Sequence, residues 1–400
     1  MREFETHRLP SGLTVHLLEY DGPSTVAILR IGIGKLDDPK GKEGAAHVIE
    51  HMLAGENEPS EGFLGRYWLD EERIYKWESA STGSTFTDYP LLCETGHEAS
   101  LLRYLREKIF QPERLTDLDH HLQCVVNERL YRGSNEAALD LLKSLFEHPR
   151  LGTATSLPDT ATAMTFCLAT LRRHHRKWYR FGNANLIMAS PRTWTELKPI
   201  INAAFRTDEA ASNGTPPLRV IATPKEQNRP MRISFGPNQK TVKLKMATGF
   251  PNPLPPAVTL LFRTLVRIRL MDGLRASFRT SYSPQVYFEH HGVATIFRVT
   301  ATAARDMAPT LRDGLTGPFE DPGWVSDYLE PVRKTLHAGL TLEPEGSIQS
   351  RLSSFTKLLH MHGKPIRRQE TIDHLEKISE EEIVALLTYV NRIGFHKTLS

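Results

Sequence analysis

The sequence predicts an α+β fold of two domains with a similar order of strands and helices. The first observation is length, since 400 residues exceed what one ordinary hydrophobic core accommodates. The second is that strand-like and helix-like segments follow in similar order on both sides of a polar, Gly- and Pro-containing segment near the chain midpoint. We therefore predict a first domain at residues 1–207, a linker at 208–217 and a second, related domain at 218–400.

The first domain begins with β-branched stretches that predict strands and continues mainly with helix-like periodicity. Glycine at position 83 weakens one of the predicted strands, because it offers no side chain for packing. The predicted elements are strands at 13–18 and 25–32, a helix around 47–51, a strand region at 81–89, helices near 96–110 and 115–133, further helix to about 181, and a strand at 184–189.

The second domain repeats a similar order after the linker. No short-period repeat is visible, and the identity between the two halves is too low to prove a duplication. The predicted elements are strands at 231–235 and 241–246, a helix near 255–278, a strand at 293–300, and helices to the end of the chain.

The composition is that of an ordinary globular protein, with 40% hydrophobic and 24% charged residues. A net charge of +3 is too small to indicate a nucleic-acid partner. The basic run at 172–180 is the one candidate patch, and it is more typical of a helix with one solvated and one packed face than of a base-stacking surface. No run of 18 apolar residues occurs, so the sequence predicts neither a membrane span nor a membrane partner.

The chain has three cysteines, Cys93, Cys124 and Cys167. Their spacing fits no zinc pattern, and three are too few for a disulfide framework, so they indicate a reducing compartment. The first residues also lack the apolar core of a secretory signal. We therefore expect a cytoplasmic protein.

Residues 47–51 read H-x-x-E-H, the reverse of the zincin motif. On a helix, His47 and His51 lie four apart on one face, so both imidazoles can bind one Zn²⁺. Glu50 borders the same face and can act as a base on a zinc-bound water. With 17 histidines in the chain, a chance match and a structural histidine pair remain the alternative. Small and apolar flanking residues favour a buried helix that ends near Gly55.

A catalytic zinc requires a third protein ligand and an open position for water. The predicted helix at 115–133 offers Glu128 after an apolar pair of residues. Taken alone, such a carboxylate is more typical of a helix surface than of a metal site.

Four segments together carry a family resemblance. Residues 44–53 read GAAHVIEHML, and Glu128 follows His51 by 77 residues. Residues 79–89 read SASTGSTFTDY, and residues 274–284 contain Leu-Arg, with Tyr-Ser seven residues beyond the arginine. These segments resemble four features of the pitrilysin, insulinase and mitochondrial processing peptidase family of zinc peptidases. In the same order, those features are the G-x-A-H-x-x-E-H-M-L core, the third metal ligand, the N-A-x-T…T-x-Y strand and the second-domain L-R…Y-S segment. The length is similar to that of the family's half-size members.

The resemblance implies a role for each matching residue. His47, His51 and Glu128 would bind one Zn²⁺ per chain, and Glu50 would be the general base that deprotonates the zinc-bound water. This assignment makes the chain a zinc metalloendopeptidase, a hydrolase acting on peptide bonds.

The same resemblance gives the second domain two catalytic residues. Tyr282 would steady the tetrahedral oxyanion through its phenol, and Arg275 would hold the substrate backbone nearby, both where negative charge develops. Without the resemblance, Tyr282 is a core aromatic of a strand and Arg275 a cation at a helix end.

The segment Ser79, Ala80, Ser81 and Thr82 would form an open sheet edge. An extended peptide substrate would add to it as another strand through main-chain hydrogen bonds, which makes side-chain selectivity loose. An ordinary edge strand is the alternative.

Three positions depart from the family pattern. His121 replaces a glutamate that the family carries seven residues before its third ligand, so it faces the same way as Glu128 two turns earlier. It would support the ligands rather than bind the metal, with different charge and proton behaviour. Ser79 stands in place of Asn, and Ala54 in place of Phe. These changes suggest a divergent specificity for a particular peptide.

The resemblance also implies two related domains, each a mostly antiparallel sheet packed with helices, which together form one half of a clamshell. Because one chain carries both the metal residues and the Arg275/Tyr282 pair, we expect a homodimer with two equivalent sites. A heterodimer with a related, metal-free subunit is the alternative. The predicted activity is cleavage of extended peptides, with processing of a specific precursor, such as that of a natural product, as its narrower form. The competing function is a non-catalytic or weakly active scaffold or partner subunit.

Overall fold

The computed structural model describes residues 3–54, 68–70, 74–75, 79–132, 137–151, 158, 160–206, 221–227, 241–250, 253–277, 284–342 and 347–399. The predicted linker at 208–217 lies outside these described residues. The chain divides into two compact units, and neither is one continuous segment. The first unit is Met1–Leu139, Arg150–Arg219 and Gly346–Lys357, and the second is Asp140–Pro149, Val220–Glu345 and Leu358–Ser400.

The part of the chain described before residue 207 contains both strands and helices. They are β1 (Glu5–Arg8), β2 (Thr14–Glu19), β3 (Ser24–Ile31), α1 (Ala45–Ala54), β4 (Trp68–Asp70), β5 (Ile74–Tyr75), β6 (Ser81–Thr82), β7 (Thr87–Glu94), α2 (Glu98–Ile109), α3 (Leu118–Arg132), α4 (Ala137–Leu145), β8 (Phe146–Glu147), α5 (Thr160–Ala163), α6 (Leu168–Trp178), β9 (Ala184–Ser190) and α7 (Trp194–Ala204).

The elements described after residue 220 are mostly helical toward the end of the chain. They are β10 (Thr223–Pro224), β11 (Thr241–Phe250), α8 (Pro256–Met271), β12 (Gln285–His290), β13 (Thr295–Ala304), α9 (Ala308–Glu320), α10 (Val325–Leu342), α11 (Ile348–His362), α12 (Arg368–Leu375), α13 (Glu380–Ile393) and β14 (His396–Leu399).

The first unit is built on a sheet with the strand order β1-β2-β9-β3-β7-β5-β4, and β6 pairs with β7 beside it. The β2–β9 pair is parallel, and the other pairs in this sheet are antiparallel. Strand β3 is buried from Thr25 to Ile31, because both of its neighbours are long strands and helices cover the sheet. The middle of this sheet therefore lies inside the core of the first unit.

Helix α1 is the most enclosed of the site elements. Every one of its ten residues except His47 is buried, and its apolar side chains join the core of the first unit. A helix that is apolar on nearly all sides is stable only inside a core, so this one is held in place by packing on several faces.

The second unit has a four-stranded antiparallel sheet with the order β12-β13-β11-β14. The two ten-residue strands β11 and β13 pair along their whole length, from Thr241 opposite Ala304 to Phe250 opposite Thr295. A separate core packs α8, α9, α10 and α13 with this sheet. A short antiparallel pair of β8 and β10 also belongs to this unit.

The predicted α+β class with mostly antiparallel sheets is confirmed. The prediction of helices to the end of the chain was wrong, because β14 closes the chain and pairs with β11. Four residues are too few to show a strand periodicity, and the strand forms because β11 offers an open edge. The predicted strand at 231–235 lies outside the described residues. Of the helices within the described ranges, none combines the length and apolar character required to cross a membrane.

Candidate metal centre

The first turn of α1 is held by a buried carboxylate. Asp38 Oδ2 accepts the N–H of Gly44 at 2.7 Å, and Asp38 Oδ1 accepts the N–H of Ala46 at 2.8 Å. Gly44 has a φ of +95°, and a Cβ at this position would lie 2.5 Å from Pro158 Cδ. Only glycine therefore allows this close entry into the helix. The result is a fixed starting point for the residues that follow.

His47 and His51 lie on one face of α1 and meet Glu128 of α3. His51 Nε2 lies 3.2 Å from His47 Nε2 and 3.2 Å from Glu128 Oε2, and His47 Nε2 lies 3.6 Å from Glu128 Oε2. Among the residues that the structure describes, these three form the one group of His, Cys, Asp or Glu whose ligand atoms converge within 4.8 Å. The structure thus brings together the three predicted ligands.

The donor geometry fits a zinc ion. Ligand atoms on a tetrahedral Zn²⁺ with bonds of about 2.0–2.1 Å are separated by about 3.3 Å. The three separations here are 3.2, 3.2 and 3.6 Å, and the ligand set is two imidazoles and one carboxylate. This set provides three protein ligands and leaves a fourth position for substrate or water, as catalytic sites require. His47, His51 and Glu128 are therefore the residues that would hold the ion.

Glu50 borders this trio from the same helix. Its side chain is buried, and its Oε2 lies 3.9 Å from His47 Nε2. The same oxygen accepts a hydrogen bond from the hydroxyl of Thr82 at 2.6 Å. Glu50 thus lies next to the candidate metal position with its carboxylate held by a second element, as a base requires.

The predicted substrate segment corresponds to β6 and the two residues before it. Ser79 and Ser81 are exposed, whereas Ala80 packs against the core. Within the described strands, β6 pairs with β7 alone, through Ser81 opposite Asp88 and Thr82 opposite Thr87. The role of β6 as a peptide-binding edge therefore stays a prediction.

His121 is buried on α3, seven residues before Glu128, with its ring 5.3 Å from that of His120. Its supporting role at the ligands stays a prediction. Arg275 lies in a short π-helical segment, Asp272–Ser277, that continues α8. Its side chain and the whole of Tyr282 lie outside the described residues, so their predicted roles also stay predictions.

Sequence reasoning missed Asp38 and its neighbour His174. His174 Nε2 lies 3.9 Å from Asp38 Oδ1, and both side chains are buried. Burial raises the pKa of Asp38 to about 8, against the opposing effect of the two N–H donors, and burial lowers the pKa of His174 to about 4. Asp38 lies seven residues before Ala45, too far from the helix for the local capping pattern of an N-cap residue, so no local sequence signal marks it. His174 lies 136 residues further along, and no local pattern links the two.

Comparisons with known proteins place this geometry in context. No protein-family model matches the chain. A curated protein, coenzyme PQQ synthesis protein F of Pseudomonas aeruginosa, is 28% identical over 213 residues, which are 49% of this chain and 26% of that protein. The match therefore spans about a quarter of the relative.

Solved structures are similar along nearly the whole chain. The peptidase M16 inactive domain from Pseudomonas fluorescens has a TM-score of 0.75 at 17% identity, covering 99% of this chain and 97% of that one. The periplasmic protease PqqL from Escherichia coli has a TM-score of 0.74 at 15% identity, covering 99% and 47%. Pitrilysin has a TM-score of 0.67 at 13% identity, covering 99% and 44%. The chain thus has the length of about half of the two full-size proteases, and these likenesses establish the fold.

Proposed function

Since this chain has the fold of the M16 peptidases, the group that its motifs resemble, we propose that it is a zinc-dependent endopeptidase that cleaves extended peptides. The observation that carries the proposal is the convergence of His47, His51 and Glu128, with Glu50 beside them. The fold alone does not require this set, because one similar structure is itself described as an inactive domain. The site therefore supports the activity more strongly than the fold does.

A bound Zn²⁺ would supply a Lewis acid that polarises the scissile carbonyl and makes a water molecule acidic near neutral pH. The chain's own part is proton handling. Glu50 would accept the proton of the attacking water on its carboxylate and then release it to the leaving amine. The burial of Glu50 excludes bulk water from this exchange, and its hydrogen bond from Thr82 fixes the carboxylate.

We propose that β6 provides the substrate edge, with the peptide added as a strand beside Ser79, Ala80, Ser81 and Thr82. Such binding uses main-chain hydrogen bonds, which favours extended peptides over folded proteins. Arg275 and Tyr282 of a second chain would hold the substrate backbone and the oxyanion.

The alternative function is a subunit that kept the fold without the activity. The similar inactive domain favours it, and the converging ligand trio opposes it, because a scaffold needs neither the three ligands nor a buried glutamate beside them. Metal content separates the two functions before any substrate is known.

The decisive experiment measures zinc and cleavage together. Purified chain is analysed for metal and incubated with a library of unstructured peptides, with Glu50→Gln as the control. We expect about one zinc per chain in both proteins and cleavage by the wild type alone. Absence of stoichiometric zinc, or cleavage that survives in Glu50→Gln, would rule out the proposed mechanism.

We propose a homodimer, with the metal site of one chain completed by Arg275 and Tyr282 of the other. A heterodimer with a metal-free relative is the competing assembly. Mixing Glu50→Gln chains with Tyr282→Phe chains distinguishes them, provided the chains exchange. Recovered cleavage supports sites shared between identical chains, and its absence counts against them.

The substrate is proposed to be a specific peptide precursor. The name of the curated relative, a coenzyme synthesis protein, favours such a processing role over general peptide turnover. We also propose a cytoplasmic location, since Cys93, Cys124 and Cys167 are all free thiols. The similar PqqL is described as periplasmic, so fractionation of cells that produce this chain tests the location directly.

A further inference from the structure

Thr82 connects the candidate substrate strand to the candidate base. Along β6 the side chains alternate, so Ser81 is exposed and Thr82 points toward α1. Its hydroxyl donates to Glu50 Oε2 at 2.6 Å, a short hydrogen bond of the kind made to an ionised carboxylate. The contact joins residues 32 positions apart in the chain, so it exists only in the folded protein.

Distance decides which of two neighbouring oxygens accepts the Thr82 proton. Thr87, opposite Thr82 in β7, donates its single hydroxyl proton to the carbonyl of Ile33 at 2.9 Å. Its oxygen lies 3.5 Å from the Thr82 hydroxyl, against 2.6 Å for Glu50 Oε2, and is therefore much the weaker acceptor. An ionised Glu50 only accepts. The Thr82 proton is therefore directed to Glu50.

A buried pair of phenols closes the network below Thr87. Tyr89 and Tyr179 are hydrogen bonded at 2.9 Å between their hydroxyl oxygens, and Tyr179 lies next to Thr87. Burial raises the pKa of both phenols above the ordinary value, and the nearby Glu50 carboxylate adds to this effect. Both phenols remain protonated at neutral pH, so they do not compete with Glu50 as bases.

We propose that Thr82 is a positioning residue for the general base: it holds Glu50 Oε2 and thereby sets where the other carboxylate oxygen, Oε1, lies for proton transfer. This inference rests on the proposed peptidase function. Strand β6 would then have two roles, because Thr82, the last residue of the candidate peptide edge, also orients the base. The spacing between substrate backbone and base is then fixed by a single residue.

The test compares Thr82→Val, which is nearly isosteric but lacks the hydroxyl, with Thr82→Ser, which keeps it. We expect Thr82→Val to lower kcat at least tenfold, with KM changed less than twofold and zinc content unchanged. Thr82→Ser should recover most of kcat. Equal kcat in Thr82→Val and wild type, or no recovery in Thr82→Ser, would overturn the proposal.

Thr25→Val is the matched control. Thr25 is a buried threonine that, like the half-buried Thr82, donates to a buried glutamate, here Glu98 at 2.9 Å. It lies six residues from Ile31, the β3 partner of Thr87, and hence about 20 Å along the strand from the site. We expect Thr25→Val to lower stability and leave kcat unchanged. If Thr25→Val loses as much kcat as Thr82→Val does, the Thr82 effect is general destabilisation and the proposal is contradicted.

A second readout does not depend on activity. The urea midpoint is measured for Thr82→Val, Glu50→Gln and the double variant. We expect Thr82→Val to lower the midpoint more in the wild-type background than in the Glu50→Gln background, since the amide replaces an ionised acceptor. Additive shifts would show that the contact does not hold Glu50. If coupling is found and the wild type cleaves no peptide, the proposed function fails while the positioning contact stands.

Discussion

Asp38 anchors the helix that carries two of the candidate metal ligands, because its carboxylate accepts the N–H of Ala46, the residue immediately before His47, at 2.8 Å. Its second oxygen accepts the N–H of Gly44, and the side chain is only 3% exposed. A helix leaves its first N–H groups without partners inside the helix, and a buried acceptor there satisfies two of them. The register of the first ligand thus depends on a residue nine positions earlier.

We predict that Asp38→Ala destabilises the fold by about 1–3 kcal/mol, because two buried N–H groups lose their acceptors. Zinc affinity should fall by about tenfold, since the helix entry that places His47 is loosened. Urea unfolding and a zinc titration measure the two effects. Asp306→Ala, the same substitution at an exposed position, is the control and should change neither quantity. An Asp38→Ala protein with unchanged stability and affinity would contradict the anchoring role.

The convergence of the candidate metal ligands could largely be predicted from the sequence, whereas the contacts that support them could not. The spacing of His47 and His51 is a local helical pattern, so the sequence shows it directly. Glu128 required the family resemblance, because a ligand 77 residues away leaves no local signal. The Thr82–Glu50 hydrogen bond joins strand β6 to helix α1, so it depends on how α1 packs against the sheet. Packing of this kind is decided by the whole core, not by periodicity.

The strands show the same limit. Long, β-branched stretches such as β3 were predicted, because alternation and burial act along the whole segment. The terminal strand β14 was not, since four residues pair with β11 only where that strand offers its edge. No sequence signal shows either that residues 346–357, which follow most of the second unit along the chain, belong to the first unit. They are anchored there by Arg30, whose guanidinium donates to the Thr356 carbonyl at 2.8 Å.

Two Glu→Gln substitutions in one site should differ in their effect on the amount of bound zinc. Glu128→Gln replaces a charged ligand by a neutral amide, so we expect the bound zinc to fall well below one per chain. Glu50→Gln leaves all three ligands in place and should retain the metal while losing activity. Metal analysis after dialysis distinguishes them, with exposed Glu113→Gln as the control for the substitution itself. Equal zinc loss in both variants would place Glu50 among the ligands.

A pair of glycine substitutions tests the entry into α1. Gly44 and Gly41 both have positive φ, +95° and +74°, so alanine is strained at either position. At Gly44 the added Cβ also meets Pro158 at 2.5 Å, whereas nothing lies within 4 Å of a Cβ at Gly41. We expect Gly41→Ala to cost about 1 kcal/mol and Gly44→Ala about 1–3 kcal/mol more. Urea unfolding of the two variants measures the difference, and equal losses would show that the backbone relaxes around Pro158.

Buried histidines should make the protein less stable as the pH falls. His175 is fully buried, and its Nε2–H donates to the Ile109 carbonyl at 2.7 Å. A second proton would have to sit on Nδ1, which has no hydrogen-bond partner in the described part of the chain. Burial accordingly lowers the pKa of His175 to about 4. A lowered pKa means that the folded state binds the proton less tightly than the unfolded state does, so stability is present above pH 6.5 and is lost as the pH falls toward 4.

The variant His175→Gln isolates this contribution, because a glutamine amide can keep the hydrogen bond to Ile109 but cannot take up a proton. The pKa shift from 6.5 to about 4 corresponds to about 3 kcal/mol between the two ends of this range. We therefore expect the wild type to lose about that much more stability than His175→Gln between about pH 7 and about pH 4, measured by urea unfolding. If His175→Gln loses stability with pH as steeply as the wild type, His175 does not titrate as its burial predicts, and the acid sensitivity belongs to other groups such as His16 or His290, whose pKa values burial also lowers to about 4.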